Sequence, residues 1–160
     1  MSVLSLNFDS VALVLHIASV TIAFGAMFAY PFFAGLDKSI IDPEGVPFFH
    51  RGQVQVIHRL VNPGVVVAVA SGLALAADTG TVTRFYSEWG LVVAIVLGII
   101  AGKYLAPREA RLASIAASDL ESTDGLLSSE YHALRRRVAG VGCLVSAIVF
   151  ATIVVMVAHR

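Results

Sequence analysis

The sequence has few charged residues, a single cysteine and no excess of either charge sign. Asp, Glu, Lys and Arg make up 14% of the 160 residues, whereas they make up about a quarter of a soluble domain. The one cysteine, Cys143, excludes an intramolecular disulfide and any zinc site with several cysteines. The formal net charge is zero, so composition gives no support for nucleic-acid binding. The first ten residues contain no Lys or Arg, so they lack the positive region of a secretory signal.

Apolar residues are abundant and are concentrated in long blocks. They make up 58% of the chain, and the mean hydropathy is +0.84. Four blocks, over 11–36, 56–77, 89–106 and 138–158, approach or exceed the roughly 20 residues that span a bilayer as a helix. Within lipid each backbone N–H and C=O needs an internal partner, which such helices provide. The sequence therefore predicts one all-α domain over 1–160, an integral membrane antiparallel bundle of four transmembrane helices.

Basic residues are distributed unevenly between the two ends of these blocks. Nine lie on the side of the first and third loops: Lys38, Arg51, Arg59, Lys103, Arg108, Arg111, Arg135, Arg136 and Arg137. The opposite side has only Arg84 and Arg160. Cytoplasmic loops of membrane proteins carry an excess of Lys and Arg. We therefore expect a multi-pass protein of the cell membrane with loops 37–55 and 107–137 in the cytoplasm and both termini outside it.

Each predicted span has small residues at four-residue spacing, which allows close contact between helices in lipid. The sets are Ser19, Ala23 and Ala26; Ala68, Gly72 and Ala76; Ala94, Gly98 and Gly102; and Cys143, Ala147 and Ala151. We expect these strips to pack the bundle. A second use is dimerisation through one strip, since the pattern does not distinguish a partner chain from a neighbouring helix.

Polar residues and a proline open the second span, in the segment VIHRLVNPGVVVAVASGLALA over 56–76. Arg59 lies near the inner end of the span, where a long side chain can reach the lipid headgroups. Pro63 has no N–H and leaves the carbonyl four residues earlier without its donor, so a kink is expected there. Asn62 could bond the freed backbone or another helix. Together with His58, these residues form a candidate polar cavity.

His16, about five residues inside the first span, is the strongest candidate ligand for a haem b, a porphyrin or a metal, because ionisable groups at membrane depth are often functional. The alternative is a histidine that hydrogen-bonds a neighbouring helix. Its face continues through Ser19, Ala23, Met27 and Tyr30. That face predicts either a groove for a flat cofactor or the contact surface of a packed helix.

Two further candidates lie near the inner side of the membrane. His58 and Lys103 could bind a cofactor or metal there, but His58 is roughly 20 Å from His16 across the lipid core. The two histidines therefore cannot share one ion. His50 and His132 fall in the predicted inner loops, where we expect both to be solvated.

The sequence also resembles known families of small bacterial membrane proteins. The segments that carry the resemblance are VLHIASVTIAFGAMFAYPFF, HRLVNPGVVVAVASGLAL and a tryptophan-led third span that ends in a lysine and PRE. They resemble four-helix proteins of unknown function related to the copper resistance protein D-like families and, more distantly, HemJ-type protoporphyrinogen oxidases. The resemblance to the second group implies that His16 and Lys103 occupy positions associated with haem or porphyrin.

Three functions agree with these features. The first is a membrane protein that binds haem b, porphyrin or a metal; if it is an enzyme, it is a cofactor-dependent oxidoreductase. The second is a non-enzymatic structural or accessory subunit. The third is a small transporter, which is disfavoured because no acidic residue lies within a predicted span. The expected partners are the lipid bilayer, with anionic headgroups at Arg135, Arg136 and Arg137, and a second copy or a membrane complex.

Overall fold

The described part of the chain is built from four long helices. The computed structural model describes residues 8–36, 42–122 and 126–158. The helical segments are α1 (Phe8–Leu36), α2 (Val46–Val56), α3 (Asn62–Asp78), α4 (Phe85–Ile99), α5 (Ala106–Ser122) and α6 (Ser129–Ala158). A first π turn (Ile57–Val61) joins α2 to α3, and a second π turn (Ile100–Leu105) joins α4 to α5. The predicted all-α class is confirmed, since the described ranges contain no strand.

All four long helices are long and apolar enough to cross a membrane. They are α1, the second long helix (Val46–Asp78), the third long helix (Phe85–Ser122) and α6. Helix α1 packs most extensively on α3 and then on α6, whereas α2 packs on α5. The second and third long helices have 33 and 38 residues, so each exceeds the roughly 20 that a bilayer requires. Their paired extensions, α2 and α5, form one end of the bundle.

Helix α2 corrects the loop that was predicted over 37–55. Residues 37–41 lie outside the described residues, and a short 3₁₀ turn (Pro43–Gly45) leads into the helix. Pro47 lies in the first helical turn, where its fixed φ favours a helix and its missing N–H costs nothing. His50 and Gln53 follow at helical spacing and are buried. A helix therefore begins at Val46 where a loop was predicted.

Helix α5 extends the third span beyond its predicted end at residue 106, so the loop predicted over 107–137 is wrong for residues 107–122. Helix α6 begins at Ser129, directly after Ser128, so it starts nine residues before the fourth predicted span. The Oγ of Ser128 accepts the backbone N–H of Tyr131 at 3.3 Å, and its own N–H donates to Oδ2 of Asp119 at 2.8 Å. This cap satisfies N–H groups that a helix start leaves without partners, and it ties the start of α6 to α5.

Three of the four predicted strips of small residues lie at helix contacts. Ala23 of α1 is fully buried, and Ala68 of α3 and Ala94 of α4 are also buried. A Cβ placed on Gly64 would lie 2.9 Å from the Cβ of Ala23. Close packing of α1 on α3 therefore requires a glycine at this position.

The fourth strip was predicted wrongly. Its members are exposed: Cys143, Ala147 and Ala151. Helix α6 instead contacts α1 through Gly142 and Ser146, one residue earlier in each case. The Oγ of Ser146 lies 3.1 Å from the carbonyl oxygen of Met27 and 3.0 Å from that of Gly142. A one-residue difference rotates a helical position by about 100°, and the hydroxyl reaches the Met27 carbonyl only from the face that meets α1.

The first π turn ends at Val61, directly before Asn62 and Pro63, where the sequence predicts a kink. The N–H of Asn62 donates to the carbonyl of Ile57, five residues earlier, and Pro63 follows with no N–H of its own. Pro31, by contrast, lies inside α1, which is α-helical throughout. A proline therefore lies next to a π turn in one long helix and within continuous α-helix in another.

The second π turn was not predicted, although it repeats the features of the first. The N–H of Ala106 donates to the carbonyl of Ala101, again five residues earlier, and Pro107 follows. The two π turns contact each other. The second and third long helices are thus both interrupted, at adjacent positions, between the apolar segments and the end of the bundle formed by α2 and α5.

Candidate functional site

Four ionisable side chains, one from each long helix, meet at the end of the bundle formed by α2 and α5. They are Tyr30 of α1, His50 of α2, Glu109 of α5 and Tyr131 of α6. Their exposed fractions are 6%, 3%, 3% and 1%, so all four are excluded from solvent. We refer to these four residues as the buried polar cluster.

The cluster is one continuous chain of hydrogen bonds. The hydroxyl of Tyr30 bonds Oε1 of Glu109. Nδ1 of His50 lies 2.5 Å from Oε2 of the same carboxyl group. Nε2 of His50 lies 2.8 Å from the hydroxyl of Tyr131. With the proton on Nδ1, His50 donates to Glu109 and accepts from Tyr131, so every polar atom in the chain has a partner.

The backbone positions each member of the cluster. Because α2 packs on α5, His50 is brought to Glu109, which lies in the first turn of α5. Tyr131 lies in the first turn of α6, and its ring meets that of His50 edge-on, with 5.7 Å between centroids. The ring of Tyr30 lies directly against Gly142, where a Cβ would overlap it. The glycine therefore leaves the space that lets Tyr30 reach the carboxyl group.

Burial gives this arrangement its electrostatic character. The side chains of His50 and Glu109 are each 4% exposed, and a buried charge is costly unless it is paired and hydrogen-bonded. Arg135 interacts electrostatically with both residues. A proton placed between Nδ1 and Oε2 gives either an ion pair or a neutral pair. The geometry therefore supports proton storage and proton transfer between defined atoms.

A surface cleft of about 470 Å³ lies beside the cluster, between α2 and α5. The cleft is lined by Arg51, Val54, Gln55, Ala110, Ala113, Ser114 and Ala117. Arg51 and Ala110 are the sequence neighbours of His50 and Glu109. The cleft therefore borders the contact between helices that the His50–Glu109 bond crosses.

His16 lies away from the cluster, against the middle of α3. Its Nδ1 is 2.9 Å from the carbonyl oxygen of Ala68 and 3.4 Å from the hydroxyl of Ser71. A Cβ on Gly72 would lie 2.9 Å from Cε1 of the ring. Because Nδ1 donates its proton to the Ala68 carbonyl, Nε2 keeps its lone pair and is the nitrogen of His16 that could bind a metal. Along the same face of α1, Ala23 packs against Gly64 of α3.

The other candidate residues lie in or next to the two π turns. His58, Arg59 and Lys103 are exposed, as is Pro63, and Asn62 is half-buried. Ala68, which His16 contacts, follows His58 by ten positions on the same long helix. Ten positions correspond to about 15 Å of helical rise. The described residues contain no group of three His, Cys, Asp or Glu side chains that could hold a metal ion. The structure thus brings none of these residues to the buried polar cluster.

The prediction that His50 is solvated is wrong, whereas His132 is exposed as predicted. A signal for His50 was present in the sequence. Val46, Pro47, His50 and Gln53 recur at helical spacing, which is typical of one face of a helix. The signal for Glu109 was weaker, because a carboxyl group three residues beyond an apolar block is usually exposed. Only the packing of α2 on α5 buries both groups.

Comparison with protein families gives one match that covers most of the chain. The model of the family described as predicted integral membrane protein (DUF2269) matches residues 10–160. Comparison with curated proteins gives no match, and neither does comparison with solved structures. With four helices able to cross a membrane and a family match over this range, the chain belongs to the DUF2269 family of predicted integral membrane proteins.

Proposed function

We propose that the protein is a small proton-coupled membrane transporter in which the buried polar cluster is the proton-binding centre. One observation carries the proposal: a continuous hydrogen-bond chain joins an imidazole, a carboxyl group and two phenols, one from each long helix. Ionisable groups buried in the helices of membrane proteins commonly form proton relays. Because each long helix contributes one residue, proton binding at the cluster would act on all four helices directly.

The main argument against a transporter was the lack of a carboxyl group in the predicted spans. Glu109 removes that argument, because it is buried only three residues beyond the predicted third span. In the proposed mechanism, His50 and Glu109 exchange a proton between Nδ1 and Oε2. Tyr131 holds the imidazole through Nε2, and Tyr30 holds the carboxyl group through Oε1. The positive charge of Arg135 compensates for the carboxylate when the pair has lost its proton.

Proton flux into liposomes tests this proposal. The protein is reconstituted in vesicles that contain a pH-sensitive dye, a pH step is applied, and the voltage is held at zero with potassium and valinomycin. Proton transfer by a positioned side chain contributes about a hundredfold to a rate. Glu109→Gln should therefore lower the protein-dependent flux by about a hundredfold, and Glu121→Gln, at an exposed carboxyl group, should leave it unchanged.

The experiment also separates the proposal from a structural role. If Glu109→Gln folds, as judged by gel filtration and circular dichroism, but carries the wild-type flux, the cluster is a structural lock and the protein is better described as an accessory subunit. If Glu109→Gln does not fold, Tyr131→Phe, which removes one hydroxyl, takes its place. Wild-type flux in that variant would likewise contradict the proposal.

Binding of haem b or porphyrin at His16 is the second candidate function, with membrane oxidoreductase chemistry if it is an enzyme. The bond from Nδ1 of His16 to the Ala68 carbonyl supports it, because such bonds orient metal-binding histidines. When bound, a haem would supply redox chemistry. Nε2 of His16 would hold it, and the resemblance to HemJ-type proteins adds Lys103. A Soret band in the purified protein that His16→Ala removes would support this candidate, and no such band after expression with haem precursor would exclude it.

A further inference from the structure

We propose that the two π turns form a register joint that controls the buried polar cluster. The joint consists of the first π turn (Ile57–Val61), the second π turn (Ile100–Leu105) and the contact of Asn62 with Gly102. A shift by one residue in either turn would move His50 or Glu109 relative to Tyr30 and Tyr131. This inference rests on the proposed function, since it describes how proton binding at the cluster is regulated.

The location of the turns supports the joint. Both π turns lie between the apolar part of a long helix and the segment that carries a cluster residue. His50 precedes the first turn by seven residues, and Glu109 follows the second by four. Helices α1 and α6 are α-helical throughout the described residues. Two members of the cluster are therefore on interrupted helices, and the other two, Tyr30 and Tyr131, are on continuous ones.

The prolines explain why the turns form at these positions. Pro63 and Pro107 each follow a π turn by two residues. A proline supplies no N–H and crowds the carbonyl four residues earlier, which belongs to Arg59 in one helix and to Lys103 in the other. The residue before each proline donates to the carbonyl five residues back. Next to each proline, both the α-helical and the π-helical hydrogen-bond patterns are incomplete. The two registers therefore differ by few hydrogen bonds.

The two turns also contact each other. A Cβ placed on Gly102 would lie 3.4 Å from Nδ2 and 3.5 Å from Oδ1 of Asn62. Within the described residues the Asn62 amide makes no hydrogen bond, so it has donors and an acceptor available for a different arrangement. A half-buried amide next to Pro63 can bond a freed carbonyl once the register changes. The contact therefore couples one turn to the other.

The size of a register shift is large compared with the bonds of the cluster. One residue corresponds to about 1.5 Å along a helix and about 100° around it. The 2.5 Å and 2.8 Å contacts of His50 would not survive that displacement. A turn in one register closes the proton chain, and a turn in the other opens it.

A disulfide across the joint tests the inference. Asn62→Cys with Gly102→Cys, in a Cys143→Ser background, brings two thiols together, since the built Cβ lies 3.8 Å from Cγ of Asn62. The control is Val65→Cys with Gly98→Cys, where a built Cβ on Gly98 lies 3.8 Å from the Cβ of Val65. The control links the same two long helices outside the turns.

The joint predicts that oxidation of the first pair lowers proton flux about tenfold and that reduction restores it, whereas oxidation of the control pair changes flux less than about twofold. If the oxidised first pair keeps its full flux while Glu109→Gln still abolishes flux, the register joint is wrong and the proposed function stands. Nitrogen-15 NMR of the His50 ring tests the joint without a flux measurement. A moving joint broadens this signal by exchange and the disulfide sharpens it, so equal line widths in both states overturn the joint even if no flux is detected.

Discussion

Nδ1 of His50 lies 2.5 Å from Oε2 of Glu109, and the bond joins residues 59 positions apart in the chain. Both side chains are almost fully buried. Removal of one partner from such a pair leaves an uncompensated polar or charged group and costs about 3–5 kcal/mol. Breaking the pair is therefore costly to stability, in addition to any effect on the proposed proton chemistry.

A double-mutant cycle should detect this pair. We expect the effects of His50→Gln and Glu109→Gln on the free energy of unfolding to be non-additive by about 1–3 kcal/mol, because the two side chains share one network. The matched control is Arg111 with Glu130, which are 2.8 Å apart but 65% and 61% exposed. That pair should give less than about 1 kcal/mol. Equal coupling energies in the two cycles would contradict the prediction.

Two glycines of α6 should respond differently to alanine. Gly142→Ala places a methyl group on the ring of Tyr30 and should destabilise the protein by about 1–3 kcal/mol through overpacking. Gly140→Ala has open space around it and should be neutral or stabilise by up to about 1 kcal/mol through helix propensity. Unfolding in detergent measures both variants. A neutral Gly142→Ala would mean that Tyr30 does not need its present position.

Loss of the Tyr131 hydroxyl should be more costly than loss of an equivalent hydroxyl elsewhere. Tyr131→Phe leaves Nε2 of His50 buried without its partner, which costs about 1–3 kcal/mol. The control is Tyr86→Phe. Tyr86 is half-buried and its hydroxyl makes no hydrogen bond within the described residues, so little change is expected. For both variants we would measure the free energy of unfolding and the nitrogen-15 chemical shift of the His50 ring. If both variants lose the same stability, Tyr131 does not support the imidazole.

The asymmetry of basic residues predicts the orientation of the protein. Single cysteines replace Ser118 and Arg84, both exposed, in a Cys143→Ser background. A maleimide that cannot cross the membrane should label Arg84→Cys in intact cells and should label Ser118→Cys only after lysis. The reverse pattern would place the buried polar cluster on the opposite side of the membrane.

Arg136 and Arg137 are exposed at the start of α6, and we expect them to bind anionic headgroups. Each should contribute about 1 kcal/mol near a negative surface. The rise in Tm on addition of phosphatidylglycerol should therefore shrink in the variant with Arg136→Gln and Arg137→Gln. Arg84→Gln, at the other end of the bundle, should keep the rise. Arg135 is left unchanged because it interacts with the cluster.

Much of the fold could be predicted from local composition. Apolar blocks of sufficient length determine helices in lipid regardless of their neighbours, so the four spans were predicted from the sequence alone. The N-cap at Ser128 and the irregularity at Pro63 also depend on nearby residues only. The face of α6 was predicted wrongly because Cys143 and Gly142 both satisfy a small-residue pattern, and only contact with α1 distinguishes them.

The sequence by itself determined that this is an all-α protein with four helices able to span a membrane, because hydropathy and helix length act within each segment. The buried polar cluster was decided by tertiary structure. Tyr30, His50, Glu109 and Tyr131 are separated by up to 101 positions, and no local pattern shows that they meet. Burial of an imidazole or a carboxyl group depends on what packs over it, and here that is the other three helices.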